Sequence, residues 1–124
     1  MTVLEMYTEF RSDFPEISKK ADKDFIDRFD ELDPTLAYLW FESLANAFNM
    51  EMSNQVEPKK YQNCFDYFCR NYIDGSKTVK DCIDVALTEN LFWRVSKEHA
   101  GPYWKMLPET IKELYVSFHG RIPA

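Results

Sequence analysis

The chain has 124 residues and a net charge of −6, and 45% of its residues are hydrophobic while 16% are aromatic. This apolar content excludes a disordered chain, and the length suits one domain, residues 1–124, built on a single core. The negative charge disfavours direct binding to nucleic acid or to an anionic membrane surface. Only three glycines are present, which argues against glycine-rich phosphate-binding loops.

The first 33 residues predict two amphipathic helices. Thr2 is the expected N-cap of the first helix, and Glu5 can complete a capping box with it. The residue before a proline is displaced from helical geometry, so the first helix is expected to end at Phe14-Pro15. Pro15 then opens the second helix. The apolar face of the second helix comprises Ile17, Ala21, Phe25, Phe29 and Leu32. The expected i, i+4 ion pairs on its polar face are Lys20–Asp24 and Lys23–Asp27.

The stretch from Asp33 to Met52 predicts the central helix of the fold. Asp33 is its expected N-cap, and Pro34 follows at the first helical position, where a missing N–H costs nothing. Between residues 35 and 50 the only charged side chain is Glu42. A helix that is apolar on nearly every side must be surrounded by other elements, so we expect this helix to be buried.

Two further apolar patterns at helical spacing lie on either side of Gly75. The first comprises Tyr61, Cys64, Phe65, Phe68, Cys69 and Tyr72. The second comprises Val79, Cys82, Ile83, Ala86, Leu87, Asn90 and Leu91. Gly75 is expected in the left-handed position that ends the first of these helices, so that the pair forms an antiparallel hairpin in the C-terminal half.

The remaining residues predict a loop and one more helix. The loop is expected from Lys97 to Pro102, and Pro108 opens a last helix that ends near Gly120. The inward residues of that helix are expected to be Ile111, Leu114, Tyr115 and Phe118. No strand-like alternation is present, so the predicted fold class is all-α, a compact bundle of about six helices.

The cysteines and histidines do not form a convincing catalytic or metal-binding pattern. Cys64, Cys69 and Cys82 all occupy apolar positions of helical stripes, where a free thiol behaves as a small hydrophobe. A zinc site that joined them to His99 would require closer ligand pairs. Neither His99 nor His119 stands in a catalytic motif. We therefore expect no catalytic residue, no metal and no cofactor.

The sequence predicts a cytoplasmic protein. The N-terminal residues lack the basic and apolar segments of a secretory signal. No apolar run is long enough to cross a bilayer, so no membrane association is expected. The odd number of cysteines favours free thiols in a reducing compartment over disulfides.

The excess negative charge is concentrated at the N-terminal end. Residues 1–33 contain ten acids and five bases, whereas residues 34–124 contain eleven acids and ten bases. We define the acidic patch as Asp24, Asp27, Asp30 and Glu31. It is a candidate docking surface for a basic protein partner, although a merely solvated helix face has the same composition. Tyr67, on the polar face of its helix, is either a second partner-binding residue or packs beneath the N-terminal helices.

A pattern in the C-terminal half suggests a family. The segment VALTENL at residues 85–91 is followed by a loop that contains Gly101-Pro102. From about Tyr61 to Gly120 the chain resembles small, acidic, all-helical bacterial proteins, some of which are similar to immunity proteins of contact-dependent growth inhibition systems. The matching positions are mostly core positions. The resemblance implies a stoichiometric inhibitor that binds a cognate toxin domain in the same cytoplasm.

Three functional hypotheses follow. The first is an immunity or antitoxin-like protein, not an enzyme, that neutralises a basic toxin domain, for which a nuclease is one candidate. The alternative is a helical adaptor or regulatory module with a non-toxin partner. A third is a small-molecule binder or enzyme built on the aromatic interior, which requires a large pocket. The partner interface could lie on the acidic patch or on the expected loop from Lys97 to Pro102.

Overall fold

The computed structural model describes all 124 residues and contains seven α-helices and no strand. The helices are α1 (Val3–Asp13), α2 (Pro15–Phe29), α3 (Ala37–Ser53), α4 (Gln62–Asp74), α5 (Lys77–Asp81), α6 (Lys97–Met106) and α7 (Glu109–His119). Short 3-10 turns occur at Pro34–Leu36, Pro58–Tyr61 and Thr88–Asn90, and a π-helix at Cys82–Leu87 continues α5. The prediction of an all-α bundle is confirmed.

Helix α1 begins with the predicted capping box. The Glu5 backbone N–H donates to the Thr2 hydroxyl oxygen at 3.1 Å, and the Thr2 N–H donates to the Glu5 carboxylate at 2.9 Å. The buried face of α1 then reaches the core through Phe10, whose ring stacks on that of Phe68 with centroids 5.0 Å apart. Helix α1 is therefore capped locally and packed against α4.

Helix α2 ends earlier than its apolar pattern predicts. Asp30 has φ 71°, which ends the helix at Phe29 and redirects the chain toward α3. Leu32 consequently lies outside the helix and is 37% exposed, so its predicted place on the apolar face is wrong. Asp tolerates this left-handed geometry better than most residues, because its short side chain can bond locally.

The predicted burial of the central helix is confirmed. Eleven of the 17 residues of α3 are buried, and Trp40, Phe41 and Phe48 are at most 1% exposed. Asp33 acts as a cap, with its carboxylate accepting the Thr35 N–H at 3.0 Å, but the first turn is a 3-10 turn. The α-helix itself begins at Ala37 and packs against α1, α2, α6 and the π-helix.

Gly75 ends α4 in a different conformation from the one predicted. Its φ is −79° and its ψ is 166°, which is extended rather than left-handed backbone. Glycine is nevertheless required, since a Cβ atom at this position would lie 2.2 Å from the Asn71 carbonyl oxygen. The close approach of residue 75 to the last turn of α4, and not a left-handed turn, therefore explains the glycine at this position.

The region predicted as a loop from Lys97 to Pro102 is helical. Ser96 caps α6, with its hydroxyl oxygen accepting the His99 N–H at 3.3 Å. Pro102 lies inside the helix and has no N–H to donate to the Glu98 carbonyl. Because Glu98 and Pro102 are both exposed, water can solvate that carbonyl. The Tyr103 hydroxyl fixes α6 by donating to the Val56 carbonyl at 2.8 Å.

Helix α7 ends at the predicted position. Gly120 has φ 72° and ψ 9°, and its N–H donates to the Val116 carbonyl at 2.7 Å. Ile111 and Tyr115 are buried as expected, whereas Phe118 is 59% exposed and does not point into the core. None of the helices combines the length and apolar character that crossing a membrane would require.

We predict that Gly75→Ala lowers the free energy of unfolding by about 1–3 kcal/mol, because the added methyl group meets a fixed backbone carbonyl. Urea denaturation followed by circular dichroism measures this change. Gly101→Ala is the matched control. A Cβ there has its nearest neighbour at 3.9 Å, so the same substitution inside α6 should leave stability unchanged or raise it by up to about 1 kcal/mol. Equal effects of the two substitutions would contradict the steric explanation.

Candidate binding surfaces

Most acids of the N-terminal segment are bound within the fold. Asp22 pairs with Arg11 and also accepts the Trp40 indole N–H at 2.8 Å. The other acids of this segment with side-chain partners are Glu5, Glu9, Glu16, Asp24 and Asp33. The acids without such a partner are Asp13, Asp27, Asp30 and Glu31. Three of these last four belong to the acidic patch.

The acidic patch is therefore divided in two. Asp24 is half-buried and lies 3.6 Å from the Arg28 guanidinium, and it accepts the Asn46 side-chain N–H at 3.1 Å. Asp27, Asp30 and Glu31 are exposed at the C-terminal end of α2. The predicted pairing of Lys20 with Asp24 is wrong, because Lys20 turns to a buried carboxylate on α3. Lys23–Asp27 forms no ion pair either.

Exposed apolar side chains accompany the unpaired acids. Ile26 and Leu32 are 41% and 37% exposed beside them in the chain. A groove of about 320 Å³ between α2 and α3 is lined by Asp27 and also by Met50, which is 63% exposed. The end of α2 therefore combines negative charge with apolar area, as protein-binding surfaces do.

Tyr67 does not belong to any exposed surface. It is 5% exposed, and its ring packs against Phe10 and Phe14 of the N-terminal helices, with centroids 5.7 and 5.9 Å away. Its hydroxyl donates to the Glu9 carboxylate at 2.7 Å. The prediction of Tyr67 as a partner-binding residue is wrong, because α1 covers the face of α4 on which it stands. Burial, together with the bond to Glu9, raises the pKa of Tyr67.

A buried carboxylate lines the groove between α2 and α3. Glu51 is 2% exposed, and its two oxygens accept the Lys20 ammonium at 2.5 Å and the Tyr61 hydroxyl at 2.7 Å. Burial, and then the hydrogen bond to Glu51, raise the pKa of Tyr61 well above its ordinary value of 10.0. These bonds join α2, α3 and the turn that precedes α4, so Glu51 has a structural role.

The cysteines are parts of the core. Cys64 and Cys82 are buried free thiols, and burial raises the pKa of each to about 12, which keeps them protonated near neutral pH. A protonated buried thiol is a poor nucleophile and a poor metal ligand. No group of three or more Cys, His, Asp or Glu side chains is arranged to hold a metal ion. His99 lies in the first turn of α6, whereas Cys64 belongs to α4.

A second surface, which no sequence pattern indicated, lies where the segment after the π-helix meets α7. We name it the C-terminal pocket; it has a volume of about 450 Å³. Its lining includes the rings of Phe92, Trp93 and Tyr115, the bases Arg94, Lys97 and Arg121, and Glu89 as its single acid. It is thus aromatic and basic, in a chain that is acidic as a whole.

Aromatic rings pack against one another at the C-terminal pocket. Phe92 and Tyr115 meet edge to face with centroids 5.3 Å apart, and Trp104 packs on both at 6.0 and 5.6 Å. The His119 ring stacks on Tyr115 at 4.1 Å, and one of its nitrogens lies 3.0 Å from the Glu89 carbonyl oxygen. Burial, and then the charge of Asp84, raise the pKa of Glu89.

The backbone beside the C-terminal pocket is strained. Phe92 has φ 69° and Arg94 has φ 56°, and neither is a glycine. Such conformations persist only where the surroundings hold them, and they cluster at functional sites. Here the buried Asn49 of α3 holds the segment: its amide donates to the Asn90 carbonyl at 2.8 Å and accepts the Phe92 N–H at 2.7 Å.

The π-helix brings this segment into place. In a π-helix the backbone carbonyls bond five residues ahead, and single turns of this kind are frequent at functional sites. Side chains add bonds to the carbonyls of this turn: the Thr88 hydroxyl donates at 2.7 Å to the Ile83 carbonyl, which also accepts the Thr88 backbone N–H, and the Asn90 amide donates to the Ala86 carbonyl at 2.8 Å. The predicted continuous α-helix here is wrong, although its predicted apolar residues are buried and Asn90 does bond to backbone.

The structure defines an all-helical domain with one acidic surface and one basic, aromatic surface. Residues 7–120 match the family described as Domain of unknown function (DUF7674), and the chain belongs to that family. No curated protein and no solved structure matches the chain.

We predict that Tyr61→Phe reduces the loss of stability at alkaline pH. Above pH 10 the folded protein keeps the Tyr61 proton because the pKa of this group is raised, whereas the unfolded chain loses it. Unfolding therefore releases a proton, and the free energy of unfolding falls as the pH rises above 10. Removing this group should reduce the slope of unfolding free energy against pH by up to about 1.4 kcal/mol per pH unit. Urea titrations between about pH 9 and pH 11 measure the slope. An unchanged slope would contradict the assignment.

We predict that Asn49→Ala lowers the free energy of unfolding by about 2–4 kcal/mol, because it leaves the Phe92 N–H and the Asn90 carbonyl without partners. It should also increase hydrogen exchange at Phe92. Asn46→Ala, one turn earlier on α3, removes a single partly exposed bond to Asp24 and should cost less than about 1 kcal/mol. If both substitutions cost the same, Asn49 has no special part in holding the segment.

Proposed function

We propose that this protein is an immunity-type inhibitor that binds a basic toxin domain in the cytoplasm and neutralises it by forming a stoichiometric complex. The observation that carries the proposal is the separation of the N-terminal acids into bound and unbound groups. Six of them have partners within the fold, whereas Asp27, Asp30 and Glu31 remain exposed together at the end of α2. Their charges are available to a basic partner.

Electrostatics favours a partner over a merely solvated face. Carboxylates near the C-terminus of a helix oppose the helix dipole, so each exposed acid there costs about 0.3–1 kcal/mol of stability. Asp27 and Asp30 stand in this position, and no lysine or arginine of the chain pairs with them. A basic partner would turn this unfavourable arrangement into attraction and accelerate association.

The apolar residues at the same place give the proposed interface its second component. Ile26 and Leu32 are exposed next to the unpaired acids in the chain, and exposed Met50 lines the same groove as Asp27. Protein interfaces combine such apolar contacts, which supply most of the affinity, with a polar rim, which supplies specificity and rate. The proposed role is binding and not catalysis. A basic nuclease domain is a suitable partner, because acidic groups can cover a surface that binds phosphate.

The alternative function is a helical adaptor with a non-toxin partner. The same acids and apolar residues would then bind a basic regulatory protein. The two functions differ in the consequence of binding, since an immunity protein must abolish toxicity in cells. Co-expression with the product of the adjacent upstream gene, followed by a growth assay and purification of the complex, separates them. Rescue with a 1:1 complex supports the inhibitor; a complex without toxicity or rescue supports the adaptor.

We predict that the double substitution Asp27→Lys and Asp30→Lys slows association with that partner by about 10-fold or more and leaves dissociation much less changed, because exposed charges mainly steer encounter. Surface plasmon resonance at low and high salt measures both rates. Glu109→Lys with Glu113→Lys on α7 is the matched control, since it changes the net charge equally at exposed positions elsewhere. Equal slowing by both double variants would show that net charge, rather than the acidic patch, controls association.

A further inference from the structure

We propose that the C-terminal pocket binds a small organic anion, an aromatic or apolar body that carries a carboxylate. This site is independent of the proposed function, because it lies between the π-helix segment and α7 and not at the end of α2. Its volume of about 450 Å³ falls within the range of small-molecule sites in proteins. Neither the net charge of the chain nor any sequence motif indicates it.

The bases of the pocket supply the anion-binding component. Arg94, Lys97 and Arg121 line it, and none of them forms an ion pair within the chain. Glu89 is the single acid of the lining, so the three bases outnumber the acids there. Arginine presents several N–H donors in a planar fork that matches a carboxylate. The lining therefore attracts an anion although the whole protein is acidic.

The aromatic rings supply the apolar component. Phe92 and Tyr115 are 6% exposed and are fixed by each other and by Trp104. Trp93 is 66% exposed at the pocket, and the Arg94 guanidinium lies 5.6 Å from its ring centre. A Trp at this exposure has little contact with apolar neighbours, whereas a flat ligand would cover part of it. Rings and bases together match an aromatic anion better than inorganic phosphate.

The strained backbone indicates that the arrangement is maintained. Phe92 and Arg94, which precede and follow the exposed Trp93 in the chain, line the pocket and both have left-handed φ values. Each such conformation costs of order 1–3 kcal/mol, so other contacts must hold the segment in it. Asn49 holds the segment from the most buried helix of the fold. The pocket is thus preorganised, which reduces the ordering that a ligand would have to impose.

The test uses two probes of nearly equal shape, 2-naphthylacetate and its uncharged amide, 2-naphthylacetamide. Each is titrated into the full chain and followed by NMR at the Trp93 indole N–H and at the backbone amides of residues 91–97. We expect the acid to shift these signals and to bind at least about 10-fold more tightly than the amide, because only the acid can form charge-assisted hydrogen bonds. Equal binding of the two probes, or shifts located elsewhere, would overturn the proposal.

A second experiment removes two of the basic side chains that line the pocket. The variant with Arg94→Gln and Arg121→Gln should weaken binding of the acid by at least about 10-fold and leave binding of the amide unchanged. Arg70→Gln, at an exposed arginine of α4 outside the pocket, is the matched control and should bind both probes as the wild type does. Wild-type affinity of the double variant for the acid would contradict the assignment. If that variant misfolds, the comparison of acid with amide on the wild-type chain still decides.

Discussion

The structure depends on the enclosure of α3 by its neighbours. The apolar side chains of an enclosed helix need no hydrogen-bond partners, but each buried polar group on the helix does. Three buried polar side chains of α3 form such hydrogen bonds with neighbouring elements. Ser43 accepts a hydrogen bond from Arg28 of α2, Asn49 holds the segment after the π-helix, and Glu51 binds Lys20 and Tyr61. The central helix therefore positions its neighbours by specific bonds as well as by packing.

Both candidate surfaces follow from this arrangement. Arg28 is held by Ser43, by Glu42 and by Asp24 of the acidic patch, and Lys20 is held by Glu51, so neither base pairs with Asp27, Asp30 or Glu31. The acids at the end of α2 are left unpaired as a consequence. Elsewhere on α3, the two bonds made by Asn49 hold Phe92 and its neighbours in strained conformations beside a basic, aromatic pocket. The bonds formed by α3 therefore contribute to both the acidic surface and the basic, aromatic surface.

Prediction from the sequence succeeded where local rules decide the outcome. The Thr2–Glu5 capping box, the Asp33 cap and the end of α7 at Gly120 depend on residues within a few positions of each other. Prediction failed where an element from elsewhere in the chain intervenes. Tyr67 was ambiguous because only the position of α1 decides whether its ring is covered. Lys20 left its expected partner because Glu51, 31 residues away, is buried and requires a positive charge.

Composition and periodicity were sufficient to establish the fold class, the burial of the central helix and the concentration of acids in the first 33 residues, because these are local quantities that a chain displays directly. They could not show which acids are free, that the chain forms a π-helix at Cys82–Leu87, or that Arg94 and Arg121 line one pocket. Charge pairing and pocket formation depend on distances between residues far apart in sequence, and those distances exist only after the helices pack.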